Sequence, residues 1–341
     1  MKLAILSFTA TGKQLGERLC RLLTAQGHQV AASSTKAGAD LHSWTASWFA
    51  DADGLIYIGA AAIAVRAIAP HLKSKTTDPA VLCVDELGRF VIPLLSGHIG
   101  GANSLARQIG ALLGATAVIT TATDLHGLFA VDTWAKSQGL ALRNAEAIKR
   151  VSGKLLDGET VRVFSEFPVA GALPTGLLLV GGEEPCDLYL GIHPCPCPEA
   201  LQLIPPIVCA GMGCRRGIAQ EILERSLRSA FQAANLCPQA LGKIASIDRK
   251  AGEPGLLALC HKLGLPFLTY TAGELMGTPG SFTPSPFVEA TVGVDNVCER
   301  SAVQGSGGRL LLPKQVGDGV TVALAAAPYQ VDFRQLTPKG G

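Results

Sequence analysis

Short apolar runs in this chain repeatedly end in glycine- or hydroxyl-rich turns that open amphipathic helices. The pattern occupies residues 1–125 and restarts at residue 207. Lys2–Phe8 reads as a strand, Thr9-Ala-Thr-Gly12 as a turn, and Lys13–Ala25 as a helix with Leu15, Leu19, Leu22 and Leu23 on one face. Further strands are expected at Val30–Ser33, Asp53–Ile58, Val81–Asp85, Phe90–Leu95 and Ala117–Thr120, the third and fourth of these as a hairpin around Glu86-Leu-Gly88. Alternation of this kind buries helices on both faces of a mostly parallel sheet. The fold class is therefore α/β, with two doubly wound, mostly parallel α/β domains at residues 1–125 and 206–333. A smaller, less regular α+β middle segment, residues 126–205, joins them and ends in a linker marked by Pro194, Pro196, Pro198, Pro205 and Pro206. Residues 334–341 read as a polar tail.

At 341 residues the chain is long enough for two or three domains. Hydrophobic residues at 48% and charged residues at 16% suit well-buried cores, and a net charge of +2 argues against a nucleic-acid partner. No apolar run reaches the roughly 18 residues of a membrane span. The start, Met1-Lys2 then Leu3–Leu6, is too short for a signal peptide. A cytoplasmic location is expected, and with it reduced thiols for the ten cysteines. Cys195-Pro-Cys197 is their one cluster. His193 is near, but no second Cys/His pair stands at metal-site spacing, so no protein-bound metal is expected.

Three strand-to-helix turns carry chemistry. In the first, Ser96-Gly97-His98-Ile-Gly100-Gly101 follows Phe90–Leu95 and opens a helix with Leu105, Ile109, Leu112 and Leu113 on its apolar face. Free N–H groups at such a helix start favour an anion or a developing oxyanion. A histidine there can move protons near neutral pH. The acidic pair Asp85-Glu86 just upstream strengthens that reading. The second turn, Thr9 to Gly12 with Thr11, is no P-loop, since Ser7 and Gln14 break the pattern. It is either a hydroxyl-rich anion loop or a threonine helix cap. The third, Gly211-Met-Gly213-Cys-Arg215-Arg216-Gly217, misses the dinucleotide fingerprint. Two arginines at a helix start oppose the macrodipole, a conflict that an anionic ligand removes.

These segments resemble a known family. Arg66-x-Ile68-Ala69-Pro70-x-Leu72-x-x-Lys75-x-x-Asp78-Pro79-Ala80-Val81, then Asp85-Glu86-x-Gly88-Arg89-Phe90-Val91, then Leu95-Ser96-Gly97-His98-x-Gly100-Gly101-Ala102-Asn103, are similar to the N-terminal part of the cobalt-precorrin-5A hydrolases. Gly211-x-Gly213-Cys214-Arg215-Arg216-Gly217, Phe287-x-Glu289, Gly293, Val297-x-Glu299 and Leu312-Pro313-Lys314 resemble the C-terminal part. Cys298 and Arg300 depart from it, standing where small residues are expected.

The resemblance implies an enzyme of anaerobic cobalamin biosynthesis. It would open the δ-lactone of a cobalt-bearing tetrapyrrole with water and expel acetaldehyde, leaving cobalt-precorrin-5B. The cobalt travels in the substrate, and no cofactor is implied. On this reading His98 is the general base. Glu86, or Asp85, orients His98 or is itself the base, and the N–H groups of Gly100 and Gly101 face the oxyanion. Arg66, Lys75, Arg215 and Arg216 pair with the substrate's carboxylates. Ser96, Gly97, Asn103, Thr9, Thr11, Gly12, Gly211, Gly213 and Lys314 complete the expected binding residues. Ser96 is not expected as a nucleophile, because it lacks a Gly-x-Ser-x-Gly elbow. The partner is the cobalt-tetrapyrrole, with no membrane. A homodimer, or contact with neighbouring pathway enzymes, fits the same reading. Two alternatives stay open: a non-catalytic tetrapyrrole carrier, and a flavodoxin-like FMN protein using Thr9–Gly12.

Overall fold

The computed structural model describes residues 1–341 except 36–37, 75–76, 98–99, 183 and 335–341. The chain forms two compact units, Met1–Thr133 and Trp134–Gly341.

In the first unit, strands β1 (Lys2–Ser7), β2 (Gln29–Ser34), β3 (Gly54–Ile58), β4 (Ala80–Val84), β5 (Phe90–Leu95) and β6 (Thr116–Ala117) form one sheet in the order β2-β1-β3-β4-β5-β6. The expected strand Ala117–Thr120 is reduced to the two residues of β6. Helices α1 (Ala10–Ala25), α2 (Leu41–Asp51), α3 (Ala61–Ile68) and α4 (Ala102–Leu113) cover its two faces. Side chains alternate along a strand, so Leu3 and Ile5 pack with Leu19, Leu23 and Ile109 on one face. Ala4 and Leu6 pack with Trp44, Phe49, Ala64 and Ala67 on the other. This is the doubly wound arrangement expected from the sequence.

Strand direction decides where the functional residues fall. β1, β3 and β4 run parallel, but β5 returns antiparallel beside β4, and β6 pairs parallel with β5. One end of the sheet therefore carries the carboxyl ends of β1, β3 and β4 and the turn Asp85–Arg89. The opposite end carries the carboxyl end of β5, the start of α4 and the last turn of α3, which must return there to feed β4.

The second unit holds two further sheets. Strands β7 (Ala141–Arg143), β8 (Val161–Ser165), β9 (Leu177–Leu179), β10 (Leu188–Leu190) and β11 (Leu201–Ile204) run in the order β7-β11-β10-β8-β9. The helix Ala147–Leu156 buries Ala147, Ile148, Val151 and Leu155. The proline-rich stretch is thus not a linker, because β11 lies inside it and every residue of β11 is buried. The prolines flank the strand on both sides, where the missing N–H costs no ladder bond.

Strands β12 (Val208–Cys214), β13 (Leu241–Ile247), β14 (Phe267–Tyr270), β15 (Arg309–Gly317) and β16 (Val320–Ala326) form the last sheet, in the order β14-β13-β12-β16-β15. β12, β13 and β14 are parallel; β16 pairs antiparallel with β12, and β15 pairs antiparallel with β16 as a hairpin at the sheet edge. Helices Gln220–Ala233 and Pro254–Leu263 bury Leu223, Leu227, Leu256 and Leu259 against this sheet.

Candidate active site

The turn after β5 is built by its own glycines. Ser96 takes a left-handed backbone with φ 57°, and its hydroxyl donates to the Asp78 carbonyl at 2.9 Å. Asp78 is buried, and its carboxylate accepts the N–H groups of Lys73 (3.0 Å) and Ser74 (3.1 Å). Asp78 therefore ties the loop before β4 to the turn after β5. A Cβ on Gly100 would collide with the Ser96 side chain, and one on Gly97 would stand 2.9 Å from Asn103 Oδ1. These two glycines are explained by closure of the turn on itself. Gly101 caps α4 in the left-handed region (φ 86°) with open space around it.

The helix start is less free than expected. The first two helical N–H groups, those of Ala102 and Asn103, donate to the carbonyls of Ser96 (3.1 Å) and Gly97 (3.0 Å). These two donors are therefore not offered to an oxyanion. Asn103 is buried, and its Nδ2 donates to Thr121 Oγ1 at 2.8 Å. It joins the turn to the segment after β6. Arg66 is exposed in the last turn of α3, at this same end of the sheet. His98 and Lys75 lie outside the described residues.

Glu86 and Asp85 do not join this group. In the β4–β5 register, Val84 pairs with Val91 and Val81 with Leu95. Ser96 follows one end of that ladder and Asp85-Glu86 the other, so at least about 10 Å of strand separates them. The hairpin thus holds Asp85 and Glu86 away from Ser96, while His98, which either was expected to orient, lies outside the described residues.

Asp85 instead holds the hairpin. Its carboxylate accepts the N–H groups of Arg89 (2.7 Å) and Phe90 (2.6 Å). Partial burial pushes its pKa up, but these bonds, with the Arg89 guanidinium, outweigh burial and hold it below the ordinary value. A depressed carboxylate is a weaker base, which argues against a catalytic role.

Glu86 is exposed and accepts from Thr9 Oγ1 at 2.7 Å. Thr9 is the N-cap of α1, accepting the Gly12 N–H at 2.9 Å. The second turn is thus a helix cap with a carboxylate already against it, which occupies the position an anion would favour. Thr11 lies within α1 and is exposed, and Gly12 is packed between Thr9 and Ile58. This geometry removes the argument for a flavin phosphate at Thr9–Gly12.

In the second unit, Gly211 and Gly213 lie within β12 rather than in a turn. A Cβ on Gly211 would collide with the Cys298 carbonyl and lie 2.6 Å from the Ala302 nitrogen. That glycine exists to seat the helix Cys298–Ser306 on the sheet. A Cβ on Gly213 would meet Thr321 Oγ1 at 2.7 Å.

The helix after β12 begins only at Gln220, so exposed Arg215 and Arg216 stand before it and not in its first turn. The macrodipole conflict disappears. Glu253 is buried beside this turn, accepting the Gly217 N–H and the Lys250 ammonium at 2.7 Å each. Lys250 chiefly holds Glu253 below its ordinary pKa, and Arg216 adds to the effect. Lys314 is half-buried on β15, where its N–H donates to the fully buried Glu299 at 2.7 Å.

Comparison with known proteins follows the same division of the chain. The family models described as cobalamin synthesis G N-terminal, cobalamin biosynthesis central region and cobalamin synthesis G C-terminus match residues 43–124, 129–185 and 208–325. A cobalt-precorrin-5A hydrolase of Salmonella typhimurium is 38% identical over 287 residues, covering 80% of this chain and 82% of the relative. One of Priestia megaterium is 32% identical over 303 residues, covering 83% and 81%. Protein CobE of a Sinorhizobium species is 34% identical over 119 residues, covering 34% of this chain and 77% of the relative. With family models matched in order along its N-terminal, central and C-terminal parts, and relatives aligned over four-fifths of its length, the chain belongs to the cobalamin synthesis G family.

Proposed function

We propose that this protein is a cobalt-precorrin-5A hydrolase, opening the substrate's δ-lactone with water and releasing acetaldehyde. The observation that carries the reading is the 38% identity to a hydrolase of that name over 80% of the chain. The substrate is a cobalt-tetrapyrrole, and the cobalt is cargo of the reaction.

The chemistry asks for a base to activate water, donors for the oxyanion of the tetrahedral intermediate, and a route for the alcohol proton as the C–C bond breaks. His98 is assigned as the base, because it lies in the turn that Ser96, Gly100 and Asp78 hold between β5 and α4. The Gly100 and Gly101 N–H groups are assigned to the oxyanion. Arg66, at the same end of the sheet, and Lys75 are assigned to the carboxylates of the macrocycle, where a guanidinium binds bidentately. Arg215 and Arg216, exposed and not locked in a helix, suit the same task. Asp85 and Glu86 are left out, for the reason of register given above.

Incubation with cobalt-precorrin-5A followed by mass spectrometry tests the reading. Loss of a two-carbon fragment, with acetaldehyde trapped in equal amount, is the expected outcome. Recovery of an unchanged but tightly bound substrate would make the chain a carrier instead.

A further inference from the structure

Outside the proposed active site, three thiols converge in the middle sheet. Cys186 lies just before β10, and Cys195 and Cys197 lie in the connection from β10 to β11. β10 and β11 are parallel. The chain must therefore travel back along the sheet between them, and it does so without a helix. That return brings Cys195 and Cys197 to the end of β10 where Cys186 sits. The three Sγ atoms all lie within 4.8 Å of one another. Sequence spacing concealed the trio, because Cys186 stands apart from the Cys195-Pro-Cys197 pair.

The surroundings are those of a built site. Backbone N–H groups point at two of the sulfurs: Cys186 donates to Cys197 Sγ at 3.5 Å, and Cys197 donates to Cys195 Sγ at 3.3 Å. Such donors support a thiolate more than a thiol. Buried Gln202 fixes the loop, with Nε2 donating to the His193 carbonyl at 2.7 Å and Oε1 accepting the Cys195 N–H at 3.4 Å. Arg143, paired with Gln202 across the β7–β11 ladder, brings positive charge to the neighbourhood. Phe164, Tyr189 and Val180 wall the cluster with apolar surface. Cys195 and Cys197 remain half-buried, so an ion can enter from solvent.

We infer that Cys186, Cys195 and Cys197 bind one thiophilic divalent cation of the zinc class. A Zn–S bond of about 2.3 Å in a tetrahedron puts sulfurs about 3.8 Å apart. The thiols need to close by no more than about 1 Å to reach it. As a thiol, Cys195 donates to the Cys197 carbonyl at 3.4 Å, a bond released when metal displaces the proton. Three protein thiolates leave the fourth position to water or a small exogenous ligand. The site lies outside the turn assigned to catalysis, so the inference stands apart from the hydrolase reading.

Titration of the reduced, chelator-treated full-length protein with Cd(II) tests it, read by the thiolate-to-cadmium charge-transfer band and by metal analysis after gel filtration. One equivalent is expected to bind. Cys197→Ser and Cys195→Ser should weaken binding by about 100-fold or more, exceeding the 10–100-fold cost of losing an outer-shell partner. Cys20→Ser, a half-buried cysteine outside the cluster, should bind as the parent does. Circular dichroism of each variant establishes that it is folded. Absence of the band in the folded parent protein overturns the inference. So does a band that survives in folded Cys197→Ser, or recovery of two of the three thiols as a disulfide in protein alkylated at lysis.

Discussion

At Ser96 a non-glycine residue is held in the left-handed region, at a cost of about 1–3 kcal/mol. Its hydroxyl bond to Asp78 and the missing side chain at Gly100 make that conformation tolerable. Strain held by its surroundings is typical of functional turns, and this turn is the one the sequence marks with Ser-Gly-His-x-Gly-Gly. The depressed pKa of Glu253 contributes to stability. A carboxylate lowered in the folded state stabilises wherever the unfolded group is ionised, above about pH 4.3 for glutamate. That contribution is lost as pH falls through the folded value. Glu253→Gln should therefore cost about 1–3 kcal/mol at pH 7, because the Gly217 N–H and the Lys250 ammonium lose their buried, charged acceptor. The gap to the parent should close below about pH 4, as read by urea midpoints at the two pH values. The turn itself was legible from its residues; its partner was not. Glu86 and Ser96 are near in sequence, but a hairpin reversal sends them to opposite ends of a sheet, and no local pattern reveals that.

Elements with continuous apolar runs between clear turns were readable, as β1, β3, β5 and α1 show. β11 was not, because four residues flanked by prolines give too short a run to signal a buried central strand. Gly211 misled for a related reason. A glycine in a strand marks either a bend or the close approach of another backbone, and only the packing of Cys298–Ser306 decides between them. Gly211→Ala should destabilise the second unit by about 1–3 kcal/mol or more through overpacking, seen as a lowered midpoint in chemical unfolding. Little change would mean that the helix is free to move off the sheet. Thr9→Ala tests the reading of the second turn as a helix cap. Loss of the N-cap should cost about 0.5–2 kcal/mol and leave turnover close to that of the parent. A large loss of turnover with normal stability would return that turn to the substrate.

Across the whole chain, three sheets share two compact units, and the family models follow the order of the sheets. Among the described residues no helix is long and apolar enough to cross a membrane. On the proposed reading the reacting carbonyl meets the turn after β5 and not the carboxylates at the far end of the sheet. The decisive measurement is single-turnover acetaldehyde release from cobalt-precorrin-5A by His98→Ala and Glu86→Gln beside the parent. His98→Ala should slow release by about 10²–10⁴-fold, the usual worth of a general base, while Glu86→Gln should stay within about twofold of the parent. Near-parental release by folded His98→Ala, or collapse of release in Glu86→Gln, would contradict that reading.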